Sequence, residues 1–152
     1  MRGETAHCAD GLKSGLREIP VPGGGAVAHE LLNVAGVLSV GGFLTVSSDG
    51  RYLAYVGITA DGHQAIYARA LDEPSVYVVE GTTGGEYPFF SPDAQWLGFH
   101  ARGTLWKVPV QGGTPEAICE TAEAVGATWG PDGEIVFAVP SEGLYRVSDR
   151  GG

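Results

Sequence analysis

A four-residue turn centred on Asp returns three times along this chain, and a turn that returns with its flanks intact demands a repeated unit. The copies are Ser47-Ser48-Asp49-Gly50, Ser91-Pro92-Asp93-Ala94 and Gly130-Pro131-Asp132-Gly133, spaced by 44 and then 39 residues. A short apolar strand precedes each copy, at 43–46, 87–90 and 127–129. An alternating strand follows each, at 52–56, 96–99 and 135–138. A third strand then carries an aromatic in its second position, as Ile66-Tyr67-Ala68-Arg69, Leu105-Trp106-Lys107-Val108 and Leu144-Tyr145-Arg146-Val147. Tyr67, Trp106 and Tyr145 are each 39 residues apart. A fourth strand, at 75–80 and 115–120, closes the first two units, and the third unit stops at Gly151-Gly152 before reaching one.

The turn residues explain the motif. Pro presets φ near −65° at the first central position, Asp tolerates the second, and Gly supplies the left-handed residue that returns the chain as a hairpin. Ala94 departs from this pattern at an expected cost of about 1 kcal/mol relative to Gly. Ser48 in place of Pro is a milder departure. A fainter copy lies upstream, where LREIPVPGG (16–24) aligns without gaps onto LWKVPVQGG (105–113). Leu16, Pro20, Val21, Gly23 and Gly24 match Leu105, Pro109, Val110, Gly112 and Gly113. The chain therefore divides into a flexible tail (1–15), a partial blade with entry strands (16–42), blades at 43–86 and 87–125, and an incomplete blade at 126–152. Val and Gly make strand or loop the expectation for 26–39.

Periods near 40 with four short strands per unit belong to β-propeller blades. Helical repeats of similar period are excluded, because no window of about 11 residues carries a 3.6-residue apolar pattern. The expected fold is all-β: a propeller fragment of about three four-stranded blades plus an N-terminal half-blade. The hairpins PFFSPDAQWLGF and ATWGPDGEIVFA, each followed by an aromatic strand, resemble the TolB-type, WD-like propeller repeat. Within that group they are most similar to the TolB-like propeller attached to certain bacterial serine/threonine protein kinases. The resemblance covers about residues 43–152 and, more weakly, 16–32. It implies a non-catalytic binding, sensor or protein-interaction module. Similar blades form a periplasmic Tol-system protein and the gating propellers of prolyl-oligopeptidase-like enzymes, which are the alternatives. A kinase domain itself is not encoded here, since no phosphate-cradling Gly-rich loop, H-R-D or D-F-G occurs.

Charge and composition narrow the partners. With 18 Asp+Glu against 9 Lys+Arg the chain carries a net charge of −9, which argues against nucleic acid, a partner that rewards clustered Lys and Arg. Glycine, 25 of 152 residues against a usual frequency of about 7%, falls between apolar runs and reads as turns. Residues 1–15 lack the apolar core of a secretory signal, and no run of 18 apolar residues is present, so no membrane segment is expected in this chain. The compartment is left unassigned. Cys8 and Cys119 have neither metal spacing nor a disulfide framework, and pairing between them is not expected.

No residue is assigned a catalytic, cofactor-binding or metal-binding role, and no cofactor is expected. Ser47 and Ser91 neighbour an Asp but lack a His between, and no G-x-S-x-G occurs. His7-Cys8-x-Asp10 is short of the three or four ligands that a metal needs. Asp49, Asp93 and Asp132 read as turn caps, because equivalent turns on separate blades diverge while calcium needs converging oxygens. His63 reads as solvated, and His100, at a strand end, is the histidine best placed to meet something. Phe90, Trp96, Trp106, Trp129 and Tyr145 read as packing between blades in preference to a carbohydrate platform. Three blades in an arc leave two sheet faces uncovered. The expected assembly is therefore a homodimer or association with missing blades, with residues 26–32 available as an exchanged strand.

Overall fold

The structure, a computed structural model, describes residues 43–152. The tail at 1–15, the partial blade at 16–42 and the strand proposed for exchange lie outside the described residues. All regular structure among the described residues is β. The first sheet contains β1 (Leu44–Val46), β2 (Tyr52–Ile58), β3 (Gln64–Ala70) and β4 (Tyr77–Val78). The second contains β5 (Glu86–Phe90), β6 (Trp96–Ala101), β7 (Thr104–Pro109) and β8 (Glu116–Glu120). The third contains β9 (Ala127–Trp129), β10 (Glu134–Val139) and β11 (Gly143–Ser148). Each sheet is an antiparallel meander in which chain order is spatial order. Strand β5 touches β1 on one side and β9 on the other, so the sheets join along their first strands as blades do.

The core lies between the sheets. Side chains alternate faces along a strand, so consecutive residues serve different neighbours. Phe90, Leu97, Phe99 and Val108 of the second sheet pack against Ala54, Ile66 and Ala68 of the first. Phe89, Leu105 and Ile118 of the same sheet pack against Ile135 and Phe137 of the third. Phe89 and Phe90 thus belong to opposite interfaces. Sheets used on both faces produce near-continuous apolar runs, which is why β2 reads Tyr-Leu-Ala-Tyr-Val. Leu53, Tyr55 and Tyr67 form a third cluster on the face of the first sheet turned away from the second, with the two tyrosine rings stacked at 5.7 Å.

The repeated turns share one hydrogen-bond network. The Ser91 hydroxyl donates to Asp93 Oδ1 at 2.6 Å and accepts the Trp96 N–H at 2.9 Å. Asp93 Oδ1 also accepts the Gln95 N–H at 3.0 Å. Ser47, Asp49, Arg51 and Tyr52 repeat every one of these bonds. The last turn position is left-handed throughout, with φ of 70° at Gly50, 57° at Ala94 and 81° at Gly133. Ala94 is only 2% exposed, and burying its methyl returns about 0.8 kcal/mol, close to the backbone strain.

The third turn differs by one residue. Val46 pairs with Leu53 and Phe90 with Leu97, whereas Trp129 pairs with Ile135. Ile135 therefore stands at the place of Leu97, and Glu134 takes the place of Trp96, a shift hidden by an ungapped reading of the motif. Gly130 makes the shorter loop feasible. A Cβ there would lie 2.6 Å from Asp132 Oδ1, so a serine would require the Asp132 side chain to move.

Two more departures have local causes. The fourth strand expected over 75–80 is paired only at Tyr77–Val78, because the Thr82 hydroxyl then takes the Ile66 N–H and donates to the Val79 carbonyl. Strand β5 bulges between Glu86 and Phe89, where Tyr87 adopts φ 51° and sets its ring 4.0 Å from that of Phe43.

Ser91→Ala removes the acceptor of the Trp96 N–H and should destabilise the chain by about 1–2 kcal/mol, measured by urea unfolding. An unchanged midpoint would show that the hydroxyl bridge contributes nothing. A pH titration tests the Asp49 carboxyl. The Ser47 hydroxyl, followed by the Arg51 N–H and guanidinium, lowers its pKa from 3.8 to about 2. A depressed carboxylate stabilises the fold above its ordinary pKa and loses that contribution as pH falls through the folded value. Thermal stability should therefore fall between about pH 4 and 2, and Asp49→Asn should flatten that limb.

Candidate functional site

The structure places most of the sequence candidates in scaffolding. Ser47, Ser91, Asp49 and Asp93 form the turn networks, and Asp132 Oδ1 accepts the Glu134 N–H at 3.3 Å. His100 is 8% exposed and its Nε2 lies 3.0 Å from the Thr121 carbonyl, so it pins the loop after β8 to β6. His63 is solvent-exposed, 3.7 Å from an equally exposed Asp61. Trp106 packs on the core between the first two sheets and donates its indole N–H to the Ala101 carbonyl. Tyr145 stacks on Phe137 and bonds Glu142. Cys119 carries a free thiol, and burial raises its pKa. His7, Cys8 and Asp10 lie outside the described residues.

A site emerges where two neighbouring turns meet. The sheets are successive copies of one repeat with matching strand order, so the two junctions can be compared position by position. At the first junction, Tyr52 packs 6.5 Å from Phe90, over Ala68 and Val110 of the same cluster. There the Ser48 hydroxyl donates to the Pro92 carbonyl at 2.7 Å, tying one turn to the next. At the second junction, the corresponding residues are Trp96, Trp129, Lys107 and Asp149. The place of Ser48 is taken by Pro92, which has no donor to offer. The junction that is apolar and tied in one place is charged and open in the other.

The opening is a cleft of about 300 Å³ between the second and third sheets, lined by Asp93, Trp96, Lys107, Trp129 and Asp149 among others. Lys107, with a side chain only 16% exposed, sits at its base. Its ammonium donates to the Asp149 carbonyl at 2.9 Å, lies 3.3 Å from Glu116 Oε2, and stands 5.1 Å from the centre of the Trp96 ring. Trp129 is fixed behind by Phe89, ring centres 6.2 Å apart. The Ser91 hydroxyl, with the Gln95 N–H, lowers the pKa of Asp93 and keeps it ionised. Among the described residues no cation lies within ion-pairing distance of the Asp93 or Asp149 carboxylate. Two indole walls, two carboxylates and an already-neutralised lysine form a place for binding. They include no nucleophile–base pair.

A larger hollow of about 380 Å³ lies beside the β2–β3 loop, lined by Asp61, His63 and Glu80, but it lacks aromatic walls. The sequence reading assigned Trp96 and Trp129 to packing and passed over Lys107 and Asp149. The signal for them was present in the repeat itself, which sets a lysine against Ala68 and an aspartate against Val110.

No protein-family model matches the chain, and no curated protein matches it. Solved structures do. The chain is similar to TolB from Acinetobacter baumannii, with a TM-score of 0.59 and 21% identity over 75% of this chain and 30% of that one. A putative TolB from Agrobacterium tumefaciens gives a TM-score of 0.55 and 25% identity over 70% of this chain and 45% of that one. The β-propeller domain of the Trilobed protease from Pyrococcus furiosus gives 0.54 and 17% identity, over 70% of this chain and 38% of that one. The chain spans less than half the length of each. It is a stretch of β-propeller, TolB-like in fold.

Proposed function

We propose that the chain is a non-catalytic binding module, a section of propeller whose cleft between the second and third sheets engages a polypeptide partner. The carrying observation is the contrast between the two junctions. Packing alone needs only the apolar residues of the first, and the second sets two half-buried indoles, a largely buried lysine and two carboxylates in their place. Binding groups held on rigid strands and tight turns are positioned without ordering a loop, which favours recognition. The net charge of −9 supports a partner that is not nucleic acid.

The likeness to TolB favours a Tol-like interaction role, and the repeat's resemblance to kinase-attached propellers favours a sensor. Gating of a hydrolase is the reading that the protease propeller suggests. Coding sequence on either side of this stretch separates them. Kinase motifs upstream support the sensor, and a downstream G-x-S-x-G with a later His supports the gate. The purified chain should turn over neither ATP nor a generic ester or peptide substrate above the buffer rate. Turnover abolished by one point substitution would overturn the non-catalytic reading.

A further inference from the structure

We propose that the cleft takes a cationic side chain, an arginine of the partner polypeptide. The inference rests on the binding-module reading above and adds the chemistry of what is bound.

Charge selects the sign. Glu116 answers the charge of Lys107, which leaves the carboxylates of Asp93 and Asp149 uncompensated at the cleft. Asp93 stays ionised into acid because its Oδ1 already accepts two hydrogen bonds, and its Oδ2 makes none among the described residues. The Asp149 side chain packs beside Gly133 and accepts no hydrogen bond from any described residue. A neutral guest would leave both carboxylates unanswered, and an anion would be repelled.

The walls select the shape. Lys107 lies within cation–π distance of Trp96, so this cleft already holds one cation against an indole. Trp129 stands on the opposite sheet with its position fixed by Phe89. A flat guanidinium stacks on an indole face and directs its N–H fork at a carboxylate in the same plane, which a lysine ammonium cannot do as well. The exposed turn residues Pro92 and Pro131 carry no backbone N–H, so neither competes for the carboxylates.

The test uses the whole chain and follows tryptophan fluorescence during titration with the blocked tripeptide Gly-Arg-Gly. Its control is the same peptide with citrulline, which keeps the shape and removes the charge. A saturable change with the arginine peptide is expected, with affinity about tenfold weaker for citrulline. Affinity should also fall as salt is raised. Asp149→Asn should weaken binding about tenfold while leaving the thermal midpoint unchanged, and Trp129→Phe should weaken it with its packing retained. No saturable change with folded protein overturns the proposal. Equal affinity for citrulline overturns the cationic guest but leaves the binding-module reading standing. Full binding by both variants moves the site elsewhere and overturns the assignment to this cleft. The module reading fails on its own by turnover in the activity assay, which this titration does not measure.

Discussion

Apolar residues occupy both faces of the second sheet, so it is stable only while a neighbour covers each side. Phe90, Leu97, Phe99 and Val108 need the first sheet, and Phe89, Leu105 and Ile118 need the third. Each such side chain contributes about 1.5–3 kcal/mol on burial, far more than any surface pair here. Strand twist, turn type and loop length are subordinate to that demand. They serve to bring the next apolar face into contact at the correct register, since a slip of one residue would turn each side chain to the wrong interface.

The turns answer this demand by fixing the hairpins that set the register. A serine hydroxyl and an aspartate carboxyl bind each other and two backbone N–H groups, so the loop closes without help from elsewhere. The third turn reaches the same end with one residue fewer and a glycine in place of the serine. The cleft is a by-product of the same economy. Where proline occupies the position of Ser48, one turn no longer ties to the next, and charged residues line the gap between them.

The all-β class, the strand count per unit and the three turns were legible because they depend on short-range chemistry: alternation, Gly, Pro and Asp at fixed offsets. Three features were not. The one-residue deletion in the third turn is invisible to a motif match, because Gly-Pro-Asp-Gly looks complete. The early end of β4 depends on the Thr82 hydroxyl capturing the Ile66 N–H sixteen residues away, a contact no local pattern encodes. Trp106 and Trp129 do pack between sheets as the repeat implies, but packing alone does not show that Trp96 and Trp129 also line a cleft. What distinguishes them is which residues stand across the junction. That required pairing Lys107 with Ala68 and Asp149 with Val110, a comparison of positions where the motif search compared only turns.

The meander order of each sheet has a kinetic consequence. Within each sheet, every strand after the first pairs with the one made just before it, so loop closure spans only a few residues and its entropic cost is small. A growing chain emerging from the ribosome can complete the first sheet before the second begins. Each finished sheet then offers a template face to the next. Such local wiring favours fast folding for an all-β chain, a class otherwise slowed by distant strand partners. Folding can advance from the N-terminal side as a front, one sheet at a time, with the interface as the step that commits each sheet to its place.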